Sequence, residues 1–233
     1  MRLRVIDIET SGGTPSEIIE IGAVDVVECG SDWVAEPPRS QLFRPIAGIS
    51  FHAMAIHHLT PAQFASSLAP CTDQALKDFL CFGGAADVLV AHNAAFESRH
   101  ISSSVTGELE WICTVKAARQ VWLDAPGYSN QVLRYWRGLK LDPELAMPPH
   151  RAAPDAWVTA HLLIDLLASK SVNDLLNWSR AAPTTAKIPF GRYRSQDWSA
   201  PPTGYLRWLI AEPDMESEVR ARAKEELLRR ETA

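Results

Sequence analysis

Asp7 and Glu9 lie two residues apart inside an apolar, β-branched run, Leu3-Arg4-Val5-Ile6-Asp7-Ile8-Glu9-Thr10. In an extended strand alternate side chains share a face, so both carboxylates point one way while Ile6 and Ile8 point the other. Like charges that close repel, and burying either is costly until a cation neutralises it. Hard carboxylate oxygens suit a divalent ion such as Mg²⁺ or Mn²⁺. An edge strand showing its acids to water is the simpler account of an isolated D-x-E, so the rest of the chain must decide.

Two later segments bear on it. His92-Asn93-Ala94-Ala95-Phe96-Glu97 leaves a short apolar strand and enters a helix, which sets Glu97 one turn past the strand end. His150-Arg151-Ala152-Ala153-Pro154-Asp155 puts a loop histidine just ahead of an acid in a helix's first turn, and Pro154 is tolerated only near such a start. Taken singly, Glu97 and Asp155 are also what a helix dipole favours at its N-terminus. Taken together, Asp7, Glu9 and Asp155 can share one ion, Asp7 can bridge to a second, and Glu97 can help hold it. Two ions about 4 Å apart stabilise the attacking and leaving oxygens of an in-line phosphoryl displacement. An imidazole can take the proton of a bound water near neutral pH, and His150, on its loop, suits that role better than His92. The expected product is a nucleoside monophosphate.

These groups need a sheet and helices to converge. Residues 18–27 read as a second strand, 31–40 as a loop or broken hairpin around Pro37-Pro38, and 41–45 as a third strand of an antiparallel meander. Thr60-Pro61 is a helix start, residues 72–82 a helix, 87–91 a buried strand, and 111–114 a further strand whose Thr114 caps a helix through Trp122. Residues 130–136 and 152–167 are predicted helices. The expectation is a mixed α/β sheet flanked by helices. A main domain over 1–170, a linker over 171–186 and a small C-terminal segment over 187–233 complete the predicted organisation. In that segment Tyr205, Leu206, Trp208 and Leu209 are expected to dock onto the main domain. The helix over 216–230 is expected to be a solvated one with i,i+4 ion pairs.

The 233 residues, 46% hydrophobic and 22% charged, fit a globular protein. No apolar run approaches the roughly 20 residues of a membrane helix, and no signal peptide is evident, so no membrane partner and a cytoplasmic location are expected. Cys29, Cys71, Cys81 and Cys113 are scattered without a C-x-x-C pair and indicate neither zinc nor a disulfide framework. The formal net charge of −5 argues against a broad basic surface. It does not exclude nucleic acid, because carboxylates of a metal site contribute to it and are neutralised by bound ions.

In order and spacing the three acidic motifs resemble those of the DEDDh 3′-5′ exonucleases, a superfamily with an RNase H-like fold that includes polymerase proofreading subunits. The similarity continues through Ala53-Met54-Ala55-Ile56-His57, Glu110-Trp111-Ile112-Cys113-Thr114 and Tyr128-Ser129-Asn130. Phe190-Gly191-Arg192-Tyr193-Arg194 and Gly204-Tyr205-Leu206-Arg207-Trp208-Leu209 extend it to the tail and point within the superfamily to the bacterial DNA exonucleases. The resemblance implies two divalent ions, Mg²⁺ or Mn²⁺, held by Asp7, Glu9, Glu97 and Asp155, with His150 as the base. It implies DNA 3′ ends as partner, single-stranded by preference and duplex possible. It also implies that Thr10 and Ser11 of the turn after the first strand, with Ile56, His57, His92 and Phe96, surround the terminal nucleotide. An RNA 3′-end trimming nuclease and a non-catalytic nucleic-acid-binding subunit are the alternatives. The family's second motif ends in Asp where this chain has Glu97, one methylene longer, so activity is expected to survive with a lower rate or a relative preference for Mn²⁺.

Overall fold

The computed structural model describes residues 1–181, 187–212, 215 and 217–231. β1 (Arg2–Thr10) and β2 (Ile18–Cys29) pair antiparallel over nearly their whole length, with Val5 opposite Val24, Asp7 opposite Gly22 and Glu9 opposite Glu20. β3 (Asp32–Ala35) continues the meander against one half of β2, and β4 (Arg39–Leu42) pairs with the other half. The stretch 31–40, read as a loop or broken hairpin, thus holds β3 and the start of β4, broken at residues 36–38 where Pro37-Pro38 removes two ladder donors, and the strand expected over 41–45 runs instead over Arg39–Leu42.

α1 (Phe51–His57) and α2 (Asp73–Cys81) precede β5 (Val88–Ala91), which runs parallel to β1. Thr60-Pro61 starts only a single 3₁₀ turn, Pro61–Gln63, capped by the Gln63 side chain accepting the Thr60 N–H and hydroxyl and ended by extended backbone at Phe64. α3 (Ala94–His100) and α4 (Ser103–Thr106) lead to β6 (Trp111–Cys113), parallel to β5. The sheet order is β3-β2-β1-β5-β6, with β4 beside β2. α5 (Thr114–Val121), α6 (Asn130–Trp136), α7 (Pro143–Ala146), α8 (Ala152–Leu167) and α9 (Val172–Arg180) follow.

The strand alternation sorts two cores. Leu3, Val5, Val24, Val26, Val88 and Val90 face Ala156, Leu162, Leu163 and Leu166, so α8 lies along the β1–β2 face. Ile6, Ile8, Ile21, Ala23 and Leu89 face Leu76, Phe79 and Leu80 of α2 on the other side. Asp7 and Glu9, in phase with Val5, thus project toward the α8 face at the C-terminal end of β1. That edge, beyond the carboxyl ends of parallel strands, is where open α/β sheets place their ligands.

The chain divides into two compact units, Met1–Ser179 and Arg180–Ala233. The stretch 171–180 is helix and not linker: Leu175 and Leu176 of α9 are buried in the core of the first unit. Residues 182–186 of the expected linker lie outside the described residues. The second unit has its own core, in which Leu206 and Leu209 of α10 (Thr203–Ala211) meet Ile188, Trp198, Met215 and Val219 and Ala223 of α11 (Ser217–Glu231). Of the residues expected to dock elsewhere, Tyr205, Leu206 and Leu209 are used within this unit, and Trp208 is exposed. α11 is also more than a solvated helix. Its Glu226, nearly buried, binds Arg229 and Arg230 and is held down to about 2, and Arg230 donates to the Ser199 and Pro201 carbonyls at 2.9 Å each.

Candidate active site

β1, α3 and α8 deliver the four acids. One oxygen each of Asp7, Glu9 and Asp155 lies within 4.8 Å of the others, a spacing at which one cation could be shared. Glu97, only 4% exposed, stands beside this group on the first turn of α3 and outside the tight trio. Its Oε2 is buried without a hydrogen-bond partner. An orphaned carboxylate oxygen is expensive in an apolar setting, and a cation would satisfy it.

Electrostatics tell the same story. Burial, then the charges of Asp155, Glu9, Glu97 and Glu20, push Asp7 well above the ordinary carboxylate range. Glu9 is raised to about 8 by burial and by Asp155 and Glu20, with Arg151 opposing. Glu97 is raised to about 8, chiefly by burial, and Asp155 is raised for the same first reason. Four acids pushed upward together, all oxygen donors, match the ligand chemistry of Mg²⁺ or Mn²⁺.

Asp155 is aimed by three neighbours. The His150 N–H donates to its Oδ2 at 2.8 Å and Gln131 Nε2 donates to Oδ1 at 3.2 Å. Arg134, buried, donates to Gln131 Oε1 at 3.2 Å and to the Ala146 carbonyl at 3.1 Å, which turns the Gln131 amide nitrogen toward Asp155. Asn130 ties the start of α6 to α8 through the Asp155 carbonyl at 3.0 Å and Thr159 Oγ1 at 2.7 Å.

The N-terminus of α8 has no local side-chain cap. Glu20 of β2 supplies one from across the sheet, accepting the Ala152 N–H at 3.1 Å while gripping Arg151 through two bonds of 2.9 and 2.8 Å. Gly22, opposite Asp7, makes room: a Cβ there would lie 2.2 to 2.4 Å from Ala152 and Ala153 backbone atoms. Glu20, Gly22, Arg151 and Gln131 were not singled out from the sequence. An acid and a glycine inside the buried run Ile18-Ile19-Glu20-Ile21-Gly22 are the signal that could have found the first two.

His150 is exposed and holds φ +59°, a left-handed conformation uncommon outside glycine and typical of functional turns. The six residues expected around a nucleotide divide. Thr10 ends β1 beside Glu9, and Ile56 is half-buried on α1. Ser11 is buried, and its hydroxyl accepts the Glu17 N–H at 3.0 Å, so it closes the turn. His57 is buried, its Nδ1 accepting the Leu59 N–H at 2.9 Å. His92 has both ring nitrogens engaged, by Thr114 Oγ1 at 2.9 Å and the Tyr128 carbonyl at 2.7 Å, and burial lowers it to about 4. Phe96 is packed against the α2-side core and His100. Thus the side chains of Ser11, His92 and Phe96 make contacts within the fold, whereas His57 keeps a buried Nε2 without a hydrogen-bond partner. In the segment Arg134-Tyr135-Trp136-Arg137, Arg134 is buried, Arg137 pairs with Asp165 and Tyr135 is exposed.

Carboxylates at the edge of a mixed sheet, with a histidine on the loop ahead of the last, define a nuclease of the RNase H-like class. The RNase_T exonuclease family matches residues 5–163, and the chain belongs to that family. It is 36% identical over 230 residues to Exodeoxyribonuclease 10 of Escherichia coli (strain K12), a match covering 95% of this chain and 97% of that protein. Among solved structures it is similar to exonuclease X in complex with 5′ overhanging duplex DNA, with a TM-score of 0.62 and 35% identity over 76% of this chain and 99% of that one. The nuclease domain of 3′hExo, a DEDDh family member bound to rAMP, shares the fold at TM-score 0.53 and 18% identity, over 72% and 92% of the two chains. Among the described residues no helix is long and apolar enough to cross a membrane.

Proposed function

We propose that this chain is a divalent-metal-dependent 3′-5′ DNA exonuclease that releases nucleoside 5′-monophosphates. The observation that carries the reading is the meeting of Asp7, Glu9 and Asp155 oxygens within 4.8 Å, beside the orphaned Glu97 Oε2. The curated relative named an exodeoxyribonuclease and the similar structure bound to duplex DNA support DNA as the polymer.

Asp7, Glu9, Glu97 and Asp155 would hold the ions, which supply Lewis acidity at the scissile phosphate and a lower pKa for the attacking water. Asp155 is aimed by the His150 N–H and Gln131, so its oxygens are oriented before anything binds. An imidazole nitrogen of His150 takes the proton of the attacking water. The water oxygen bonds to phosphorus as the bond from phosphorus to the 3′-oxygen of the penultimate nucleotide breaks, and that oxygen takes up a proton from solvent, leaving a shortened strand with a 3′-hydroxyl. Thr10, next to Glu9 at the end of β1, and Ile56 of α1 are proposed to border the terminal nucleotide.

The test is hydrolysis of matched single-stranded DNA, duplex DNA and RNA with free or blocked 3′ ends, with the released product identified by chromatography. Mononucleotide 5′-phosphates released only from free 3′ ends of DNA support the reading. Faster loss of RNA favours a trimming ribonuclease, and binding without hydrolysis of any polymer favours a non-catalytic subunit.

A further inference from the structure

The second unit presents an aromatic surface that its own core does not consume. Tyr193 and Tyr205 rings lie 4.7 Å apart by centroid, and Tyr205 and Trp208 lie 5.5 Å apart, so three rings form one continuous row. The two tyrosines pack against the core at one end, whereas Trp208 is 47% exposed although α10 has a buried face available in Leu206 and Leu209. Gly191 is shaped to this row: it holds φ +71°, and a Cβ there would meet the Tyr205 hydroxyl at 2.9 Å. A backbone that gives way for a ring edge is a seat for that ring, and not only a turn.

Cations flank the row. The Arg192 guanidinium stands 5.9 Å from the Tyr193 ring centroid, and Arg192, Arg194 and Arg207 are all exposed. Among the described residues none of the three has an ion-pair partner. The charge of the whole chain sharpens the contrast. Residues 1–179 hold thirteen Lys and Arg against twenty Asp and Glu, a formal −7. Residues 180–233 hold ten against eight, a formal +2. An acidic catalytic unit has little long-range attraction for a polyanion, so the positive unit is where such attraction can arise.

We propose that the C-terminal unit carries a binding surface for single-stranded nucleic acid, with bases stacking on the Tyr193–Tyr205–Trp208 row and phosphates held by Arg192 and Arg194. A stacking platform bordered by guanidinium groups accepts any base and tracks the backbone by charge, which suits a strand being shortened regardless of sequence. Only the choice of DNA as the polymer rests on the exonuclease reading. A second binding site on the same chain keeps a long strand near the enzyme between cleavages without adding to the chemistry.

The experiment uses the full chain in EDTA, with anisotropy of a labelled oligothymidylate of about 20 nucleotides, a length that exceeds one such surface. Trp208→Ala is expected to weaken binding by about 5- to 100-fold while Trp208→Phe binds as wild type. The Arg192→Ala/Arg194→Ala double variant is expected to flatten the slope of log affinity against log salt by about 1.4. Hydrolysis of the p-nitrophenyl ester of thymidine 5′-monophosphate with Mn²⁺ stays at the wild-type rate in every variant, which separates the surface from the catalytic centre. If the wild type fails on that ester and on strands alike, the nuclease reading falls while the anisotropy result still stands. Unchanged affinity and unchanged salt slope in variants of wild-type melting temperature would overturn the proposal.

Discussion

Arg151 closes on Glu20 with a two-bond grip of 2.9 and 2.8 Å, joining the residue before α8 to the strand beside the one that carries Asp7 and Glu9. Glu20 is 2% exposed and lies opposite Glu9, so the pocket's acids hold a fifth carboxylate that is structurally neutralised. The pair fixes where α8 begins, and Asp155 sits one turn further on.

Removing one partner leaves the other charge without its match. Arg151→Ala is expected to cost about 2 to 4 kcal/mol in urea unfolding, because the buried Glu20 keeps its desolvation penalty and loses its cation. Arg151→Lys recovers part of the loss, since an ammonium cannot reproduce the fork. A variant as stable as the wild type contradicts this role.

Gly22→Ala tests the same junction sterically. The added methyl would overlap Ala152 and Ala153 backbone atoms, which cannot rotate aside, so α8 must lift from β2. A stability loss of about 1 to 3 kcal/mol is expected, with a larger fractional loss of divalent-ion affinity because Asp155 moves with the helix. Calorimetric titration of Mn²⁺ checks the second part; wild-type affinity contradicts it.

The motif residues were readable from spacing because strand and helix periodicities are local. D-x-E on one strand face and an acid in a helix's first turn need no tertiary knowledge, and β1, β2, β5 and β6 lie where the apolar runs place them, whereas β3 and β4 do not carry such runs. Glu20, Gln131 and Arg134 were not readable in the same way, since their partners lie across the sheet or on another helix. His92 and Phe96, also in the motif, have partners the sequence does not show: Thr114 and the Tyr128 carbonyl bind the imidazole, and the ring packs on the α2-side core. Helix α9 was missed because it is short, nine residues, and its apolar contacts Val172, Leu175, Leu176 and Trp178 directly precede a stretch that reads as a linker.

The buried acids give stability a definite pH dependence. Glu9 and Glu97 are raised to about 8, against about 4.3 for an unfolded glutamate. Between those values the folded state binds more protons than the unfolded one, so stability falls as pH rises. In EDTA the melting temperature is expected to drop from about pH 5 to about pH 8, and saturating Mg²⁺ is expected to flatten the drop. A melting temperature rising through that window in EDTA contradicts the assignment.

His150 has an exposed ring and a backbone N–H committed to Asp155. His150→Gln is expected to lower kcat by about 10²- to 10⁴-fold while Mn²⁺ affinity in calorimetry stays near wild type. Equal losses in both would make His150 a part of the ion site and not a base.

Glu97→Asp shortens the side chain whose Oε2 has no partner. Restoring the family's usual residue is expected to shift relative activity from Mn²⁺ toward Mg²⁺, because Mg²⁺ tolerates less deviation from octahedral geometry. An unchanged ratio of the two rates contradicts that expectation.

The most direct measurement follows a 5′-labelled single-stranded DNA on a sequencing gel with Mg²⁺, Mn²⁺ or EDTA, comparing the wild type with Asp7→Asn. A ladder shortening one nucleotide at a time, present only in the wild type and only with a divalent ion, is the result expected of carboxylates that converge to hold catalytic metal. Shortening in EDTA, or at the wild-type rate in Asp7→Asn, would contradict it.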